Sequence, residues 1–339
     1  MIRRLPILLL TLVVLAALVV AGRDAPAETT PVFSPVVADW MPAAPEPSGL
    51  TGTWFCPGVP ATGENGVGGE VVVSNRGDAE MSAHVELLND EGATVEQSIT
   101  VAPRERSVID VDQLLGGQFV SAVVEIDGGG GVVEQRALHP AGNAVSPCAN
   151  STSATWYLAD GFTVGGSRNQ IVLTNPFDDA AIVDIGFATG EGSRTPAAFQ
   201  GFPIAPRSIE VIDFGAPGAG AQGEEQLAVK VEATRGQLIV GRSQHFVDGG
   251  RLGYAMTLAA PAPRDQWWFA DGEKGPGITE RFSLYNPTDD DVEVDAVFLG
   301  ISEAADVEPI SVPARQVVTF ESDSVSTLVE GRHAVVFST

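Results

Sequence analysis

The sequence repeats itself three times, and that self-similarity limits its fold more than any motif does. Trp54-Phe55, Trp156-Tyr157 and Trp268-Phe269 each open a segment, at steps of 102 and 112 residues. A short apolar run ending in asparagine follows each one: Val71-Val72-Val73-Ser74-Asn75, Ile171-Val172-Leu173-Thr174-Asn175 and Phe282-Ser283-Leu284-Tyr285-Asn286. Three residues beyond each asparagine stands an aspartate, Asp78, Asp178 or Asp289. A third landmark is Ala102-Pro103-Arg104, Ala205-Pro206-Arg207 and Val312-Pro313-Ala314-Arg315.

Past each asparagine the apolar residues fall on every second position. They are Met81, Ala83, Val85 and Leu87, then Ala181, Val183, Ile185 and Phe187, then Val292, Val294, Ala296 and Phe298. That period of two belongs to a strand with one face in a core, and it excludes a helix. Ala122–Ile126 with Val132–Leu138, and Leu227–Ala233 with Gln237–Phe246, read as closing hairpins. Short strands in units of about 100 residues, separated by Gly- and Pro-rich turns, predict tandem immunoglobulin-like β-sandwiches, an all-β class. The units are residues 53–149, 154–260 and 266–339.

The third unit ends soon after Ala334-Val335-Val336-Phe337, which aligns with Ala122-Val123-Val124-Glu125 and Ala228-Val229-Lys230-Val231. On that alignment it lacks its last strand. Residues 333–338 are then expected to pair on one side only, with Phe337 or its neighbours underpacked. Either a longer chain or a partner's strand is expected to complete the unit.

Arg3 and Arg4 precede an apolar run from Leu5 to Ala21, and Ala25-Pro26-Ala27 offers a small-x-small cleavage pattern. Residues 1–27 therefore read as a signal peptide or a retained signal-anchor helix, and both imply export to the outer face of the membrane or beyond. Five prolines make residues 28–52 an extended tether. The net charge of -25, with 19 Lys+Arg against 44 Asp+Glu, repels phosphate backbones and excludes nucleic-acid binding. Cys56 and Cys148 are the only cysteines, and in an oxidising compartment they are expected to form a disulfide.

No nucleophile elbow, zinc-binding His-Glu-x-x-His pair or phosphate loop occurs, so no catalytic residue, cofactor or resident metal is assigned. Asn75, Asp78, Asn175, Asp178, Asn286 and Asp289 read as turn residues, with each aspartate bonding nearby backbone. Calcium is the alternative for the acidic second and third turns. Arg76-Gly77-Asp78 spells an adhesion tripeptide but occupies the same tight turn. His139 and His245 recur at matching strand ends and read as scaffold. Trp54, Trp156 and Trp268 read as core. Trp40, Trp267 and Tyr254 lie outside that pattern and are the candidate glycan contacts.

An export signal, a Pro-rich tether, aromatic-led strands, the Asn-Pro-x-Asp turn and the Ala-Pro-Arg landmark together resemble a family of uncharacterised secreted or membrane-anchored proteins of high-GC Gram-positive bacteria. The unit is similar to immunoglobulin-like repeats of bacterial surface proteins. That resemblance implies fold and location and carries no activity. The expected role is a non-enzymatic envelope protein, with sandwich modules acting as spacer or scaffold toward other envelope proteins. A carbohydrate-binding protein acting on cell-wall glycans is the alternative.

Overall fold

Alternation builds strands wherever the sequence repeats. Met81–Asn89 forms β3, with Met81, Ala83, Val85 and Leu87 buried and Ser82 and His84 exposed. The computed structural model describes residues 51–300 and 304–339. The apolar N-terminal run, most of the tether and Trp40 lie outside the described residues. Trp40–Thr339 forms one compact unit, and among its described residues every strand pairing is antiparallel.

The first repeat contributes β1 (Gly52–Ala61), β2 (Gly68–Asn75), β3, β4 (Thr94–Val101) and β5 (Arg106–Asp110). A one-turn helix α1 (Val111–Leu114) leads to β6 (Gly117–Ile126), β7 (Gly131–Leu138) and β8 (Ala144–Pro147). These strands form two four-stranded sheets, ordered β1-β6-β3-β4 and β5-β2-β7-β8. Trp54, Val71, Val73, Val85, Leu87, Val124 and Val133 share one buried core between the sheets.

The second repeat runs β9 (Thr155–Gly161), β10 (Arg168–Asn175), β11 (Ala181–Thr189), β12 (Gly192–Arg194), β13 (Phe202–Ile204), β14 (Ser208–Asp213), β15 (Leu227–Arg235), β16 (Ile239–Phe246) and β17 (Gly253–Leu258). Its sheets are β12-β11-β15-β9, with β13 also on β11, and β14-β10-β16-β17. The strand order of the first repeat is reproduced.

The third repeat comprises β18 (Gln266–Lys274), β19 (Arg281–Tyr285), β20 (Val292–Leu299), β21 (Ala304–Asp306), β22 (Ile310–Val312), β23 (Val317–Glu321) and β24 (Gly331–Ser338). One sheet is ordered β18-β24-β20-β21, with β22 also on β20, and the other is the pair β19-β23.

Three expectations are corrected. The closing strands are not hairpins, because β6 pairs with β1 and β3 whereas β7 pairs with β2 and β8. The turn at 127–130, with Gly128, Gly129 and Gly130 all at positive φ, arches the chain from one sheet to the other. Both strands thereby point their apolar face into the same core.

The tryptophan register is also shifted by one residue. Trp54 pairs with Val124 and Val124 with Val85, while Trp156 pairs with Val231 and Val231 with Ile185. The third repeat answers with Trp267, Phe337 and Ala296. Trp267 is thus the counterpart of the core tryptophans and packs against the third core, while Trp268 faces outward and is 40% exposed. A one-residue slip reverses the face of every side chain in a strand.

Finally, β24 is paired on both sides, by β18 and β20, and Phe337 is buried. Its counterparts are the central strands β6 and β15. Among the described residues β19, whose counterparts β2 and β10 are paired on both sides, has a neighbour on one side only, β23, because β7 and β16 have no equivalent beside it.

Candidate functional site

Each repeat is fastened by a clasp built from its three landmarks. The buried Asn75 donates from Nδ2 to Ala79 O (2.8 Å), Val101 O (3.1 Å) and Ala102 O (3.1 Å), and its Oδ1 accepts from Gly77 N (2.8 Å). Asn175 repeats this with Asp179 O (2.8 Å), Ala205 O (2.9 Å) and Phe177 N (3.1 Å). Asn286 repeats it with Asp290 O (2.7 Å), Val312 O (3.0 Å) and Thr288 N (3.0 Å). One side chain therefore sews its own turn to a strand end about 26 residues away.

The arginine of the third landmark closes the clasp from the other side. Arg104, Arg207 and Arg315 all hold positive φ, at 59°, 46° and 57°. Their backbone N–H groups donate to Gly77 O, Phe177 O and Thr288 O at 3.2, 2.9 and 3.1 Å. A left-handed arginine in all three copies is a fixed requirement of the turn, since side-chained residues rarely adopt it. Arg104 Nε donates to Asp78 Oδ1 at 2.9 Å and Arg315 Nε to Asp289 Oδ1 at 2.5 Å. These hydrogen bonds, and then the guanidinium charge, hold both carboxyls below the usual carboxylate range.

The second clasp is wired differently. Arg207 stays 3.7 Å from Asp178, whose side chain is 91% exposed, and instead makes a close ion pair with Glu86 of β3 in the first repeat. Asp78 and Asp289 therefore bond arginine rather than backbone, a correction to the turn reading, and the second turn is closed by Asn175 and the Arg207 backbone N–H without its aspartate.

Glu86 lies at a joint between repeats. There the outer face of β10–β14 meets the outer face of β3–β6, burying Val172 and Ile209 against Leu88 and Phe119. Thr174 Oγ1 donates to Pro57 O at 2.6 Å, and the Phe55 and Phe177 rings are 6.5 Å apart. Gly241 faces Pro57 so closely that a Cβ would come within 2.6 Å of its Cγ. At the far end of this joint, His139, His245 and Tyr254 cluster, and Met256 of β17 enters the first core.

The second joint uses the same positions. Tyr285 and Val317, from β19 and β23, pack on Ala188 and Ala228. Thr174 pairs with Ile209 and Tyr285 pairs with Val317, and each of Thr174 and Tyr285 immediately precedes its clasp asparagine. Leu88 and Ala188 both stand thirteen residues beyond theirs. Ser283 Oγ reaches Asp160 Oδ1 at 3.4 Å, and Arg242 Nη2 reaches Asp160 Oδ2 at 3.4 Å. Burial, and then the neighbouring Tyr157, push the Tyr285 hydroxyl up to about 12. Apart from His139, His245 and Tyr254, the joint residues were not singled out in the sequence. Their signal is an apolar residue at an outward position, as in Ile171-Val172-Leu173 and Leu87-Leu88, which marks a strand buried on both faces.

Cys56 and Cys148 are bonded, with Cα atoms 4.4 Å apart. Tyr254 lies in the first joint, with its ring stacked on His139, and Trp267 in the third core, so neither stands as an open aromatic. Among the described residues no group of three or more His, Cys, Asp and Glu comes together as a metal site. No helix there is long and apolar enough to cross a membrane. A groove of about 310 Å³ runs beside the first clasp, lined by Ser74, Asn75, Arg76, Arg104, Glu105 and Arg106.

Residues 139–241 match a family of unknown function (DUF5719). The match runs across the first joint, from His139 to the middle of β16. No curated protein matches the chain. Among solved structures, the crystal structure of Thermotoga maritima 1070 is similar over 32% of this chain and 92% of its own, at 15% identity and a TM-score of 0.26.

Proposed function

We propose that this chain is a non-enzymatic, exported envelope protein whose stacked sandwiches act as a spacer and scaffold. The observation that carries this reading is the recurrence of one joint: the same strand positions meet between the first and second repeats and between the second and third. A protein selected for a reaction needs one converging pocket, whereas a protein selected for length and shape needs a reproducible joint. The disulfide supports export, because such bonds persist in oxidising compartments. The N-terminal apolar run supplies the export signal or anchor.

In this proposal the modules are immunoglobulin-like in the interlocked pairs β2–β5 and β3–β6. They depart from the antibody domain in placing β1 beside β6. The kinship with proteins of high-GC Gram-positive bacteria belongs to the same proposal. The test is to shave intact cells with protease and to insert one further copy of the second repeat. Surface release of the chain, and a longer reach of a C-terminal epitope from the membrane, are expected; an internal chain insensitive to shaving would overturn the reading.

The glycan-binding alternative has one observation in its favour, the outward Trp268. Binding of cell-wall glycans that is lost in Trp268→Ala would favour it, and no binding at millimolar glycan would remove it.

A further inference from the structure

The first sheet of each repeat ends in a strand laid beside β3 or its counterparts β11 and β20. In the second repeat that edge is cut into β12 and β13, three residues each, and in the third into β21 and β22, also three residues each. The interruptions carry Pro196 and Pro309, and Pro203 stands within β13. Short strands, breaks and prolines are the means by which proteins keep a sheet edge from pairing with another chain. The first repeat has none of them. Its β4 runs eight residues in unbroken register with β3, without proline, and among the described residues it has a strand on one side only.

The Asn89 N–H donates to Ala93 O across the β3–β4 turn. Hydrogen-bonded residues alternate in an antiparallel ladder, so Val95, Gln97, Ile99 and Val101 bond β3. Thr94, Glu96, Ser98 and Thr100 therefore turn their backbone N–H and C=O groups to the free edge. Their side chains are exposed, while Val95, Gln97 and Ile99 are half-buried and Ile99 packs against the first core. About Gln97 the strand is nearly the same in both directions: Thr94 answers Thr100, Val95 answers Ile99 and Glu96 answers Ser98.

We propose that β4 pairs antiparallel with β4 of a second copy of this chain, about a twofold axis at Gln97. That register sets Gln97 against Gln97 of the second copy, Thr94 against Thr100, Val95 against Ile99 and Glu96 against Ser98. The free-edge residues of the two copies then exchange about eight backbone hydrogen bonds. The Val95–Ile99 pairs extend the core face, and two β1-β6-β3-β4 sheets become one continuous sheet. Carboxylates are never directly opposite, because each Glu96 faces a serine and lies 3.7 Å from its own His84. The two Glu96 residues meet only on the diagonal, at about 7 to 8 Å. The contact is isologous, occupies both edges and closes at the dimer. It is independent of the spacer reading and adds that two chains stand side by side.

The test is sedimentation of the chain from Glu28 to Thr339, which keeps the tether and the compact unit, over the micromolar range at several salt concentrations. A monomer–dimer equilibrium is expected, tightening as salt screens the repulsion between two strongly acidic chains. Ser98→Lys sets a lysine opposite Glu96 of the second copy and is expected to tighten the dimer several-fold, whereas Ser98→Glu is expected to weaken it as much. Ser98→Pro removes a free-edge N–H without touching the β3 ladder and is expected to leave a folded monomer. Gln97→Cys is expected to cross-link two copies under mild oxidation, because the axis brings the paired Cα atoms within disulfide range, and Ser98→Cys is not. A parent chain that stays monomeric, whether β4 is bare or taken by the chain's own tether, would overturn the proposal. So would a dimer indifferent to both Ser98→Pro and Ser98→Glu, or cross-linking favoured by Ser98→Cys. None of these results bears on the epitope-reach experiment, whose failure would remove the spacer reading alone.

Discussion

The His139 ring lies stacked on the Tyr254 ring, with centroids 4.2 Å apart and planes 13° from parallel, across the joint between the first and second repeats. His245 stands edge-on to His139 at 4.7 Å, and the Tyr254 hydroxyl is 2.5 Å from Ser243 Oγ. Burial lowers the pKa of His139 below the usual 6.5, aided by His245 and Arg168, and burial with Arg168 does the same for His245. Burial pushes the Tyr254 hydroxyl up to about 12, with the Ser243 bond opposing the rise. This corner of the joint is built for neutral rings.

A pH dependence follows. Both histidines bind a proton less readily folded than unfolded, so their neutral packing is fully present above pH 6.5. It is lost as the pH falls from 6.5 through the lower folded values, because the unfolded chain takes up the protons first. Melting temperature is expected to drop over that window. In the double variant His139→Asn, His245→Asn that part of the slope should vanish, and a wild-type slope retained in the variant would assign it to other groups.

Asp110 has the opposite sign. Partial burial, then the neighbouring carboxylates of Asp112 and Glu70, raise its pKa from 3.8 to about 6. Its favourable contribution is complete below pH 3.8 and is lost as the pH rises through about 6. Asp110→Asn is expected to raise the melting temperature at pH 7 to 8 and to leave it nearly unchanged at pH 4.

Asn175 and Asp178 separate the clasp from its acidic decoration. Asn175→Ala leaves several buried backbone groups without a partner and is expected to cost about 2 to 3 kcal/mol in urea unfolding. Asp178→Ala removes an exposed carboxylate 3.7 Å from Arg207, a loss of at most about 0.5 kcal/mol. Equal losses would return the turn to the aspartate, and a calcium-dependent melting shift abolished by Asp178→Ala would make it a metal site.

Reduction of Cys56–Cys148 releases a loop whose ends are 92 residues apart. The chain-entropy model places the loss at about 4 to 5 kcal/mol. Calorimetry with and without reductant is expected to show the first repeat melting earlier while the second keeps its transition.

Much of this fold is legible in residue order because each strand has one core face, and Met81 to Leu87 or Val292 to Phe298 show their period directly. The clasp was half legible. Asparagine and arginine recur at fixed places, yet which side chain bonds which depends on Arg207 leaving Asp178 for Glu86. That exchange is set by how two repeats face each other. The turn at 127–130 hid its role because glycines suit a hairpin and an arch between sheets equally. The Trp267-Trp268 doublet hid its register because either residue can fill the core position in a strand, and only the pairing of Trp267 with Phe337 decides between them.

The Cys56–Cys148 bond also sets the path that tension would take through the molecule. Cys56 stands in the strand where the tether enters the first repeat, and Cys148 stands where the chain leaves it, one residue before Ala149 bonds back to Phe55. A pull between tether and second repeat passes from sulfur to sulfur and bypasses everything between them. On the order of 300 Å of contour length is thereby kept out of reach of stretching. The first repeat is thus the one that a pull along the chain cannot unravel, and any yielding begins in the modules without such a bond.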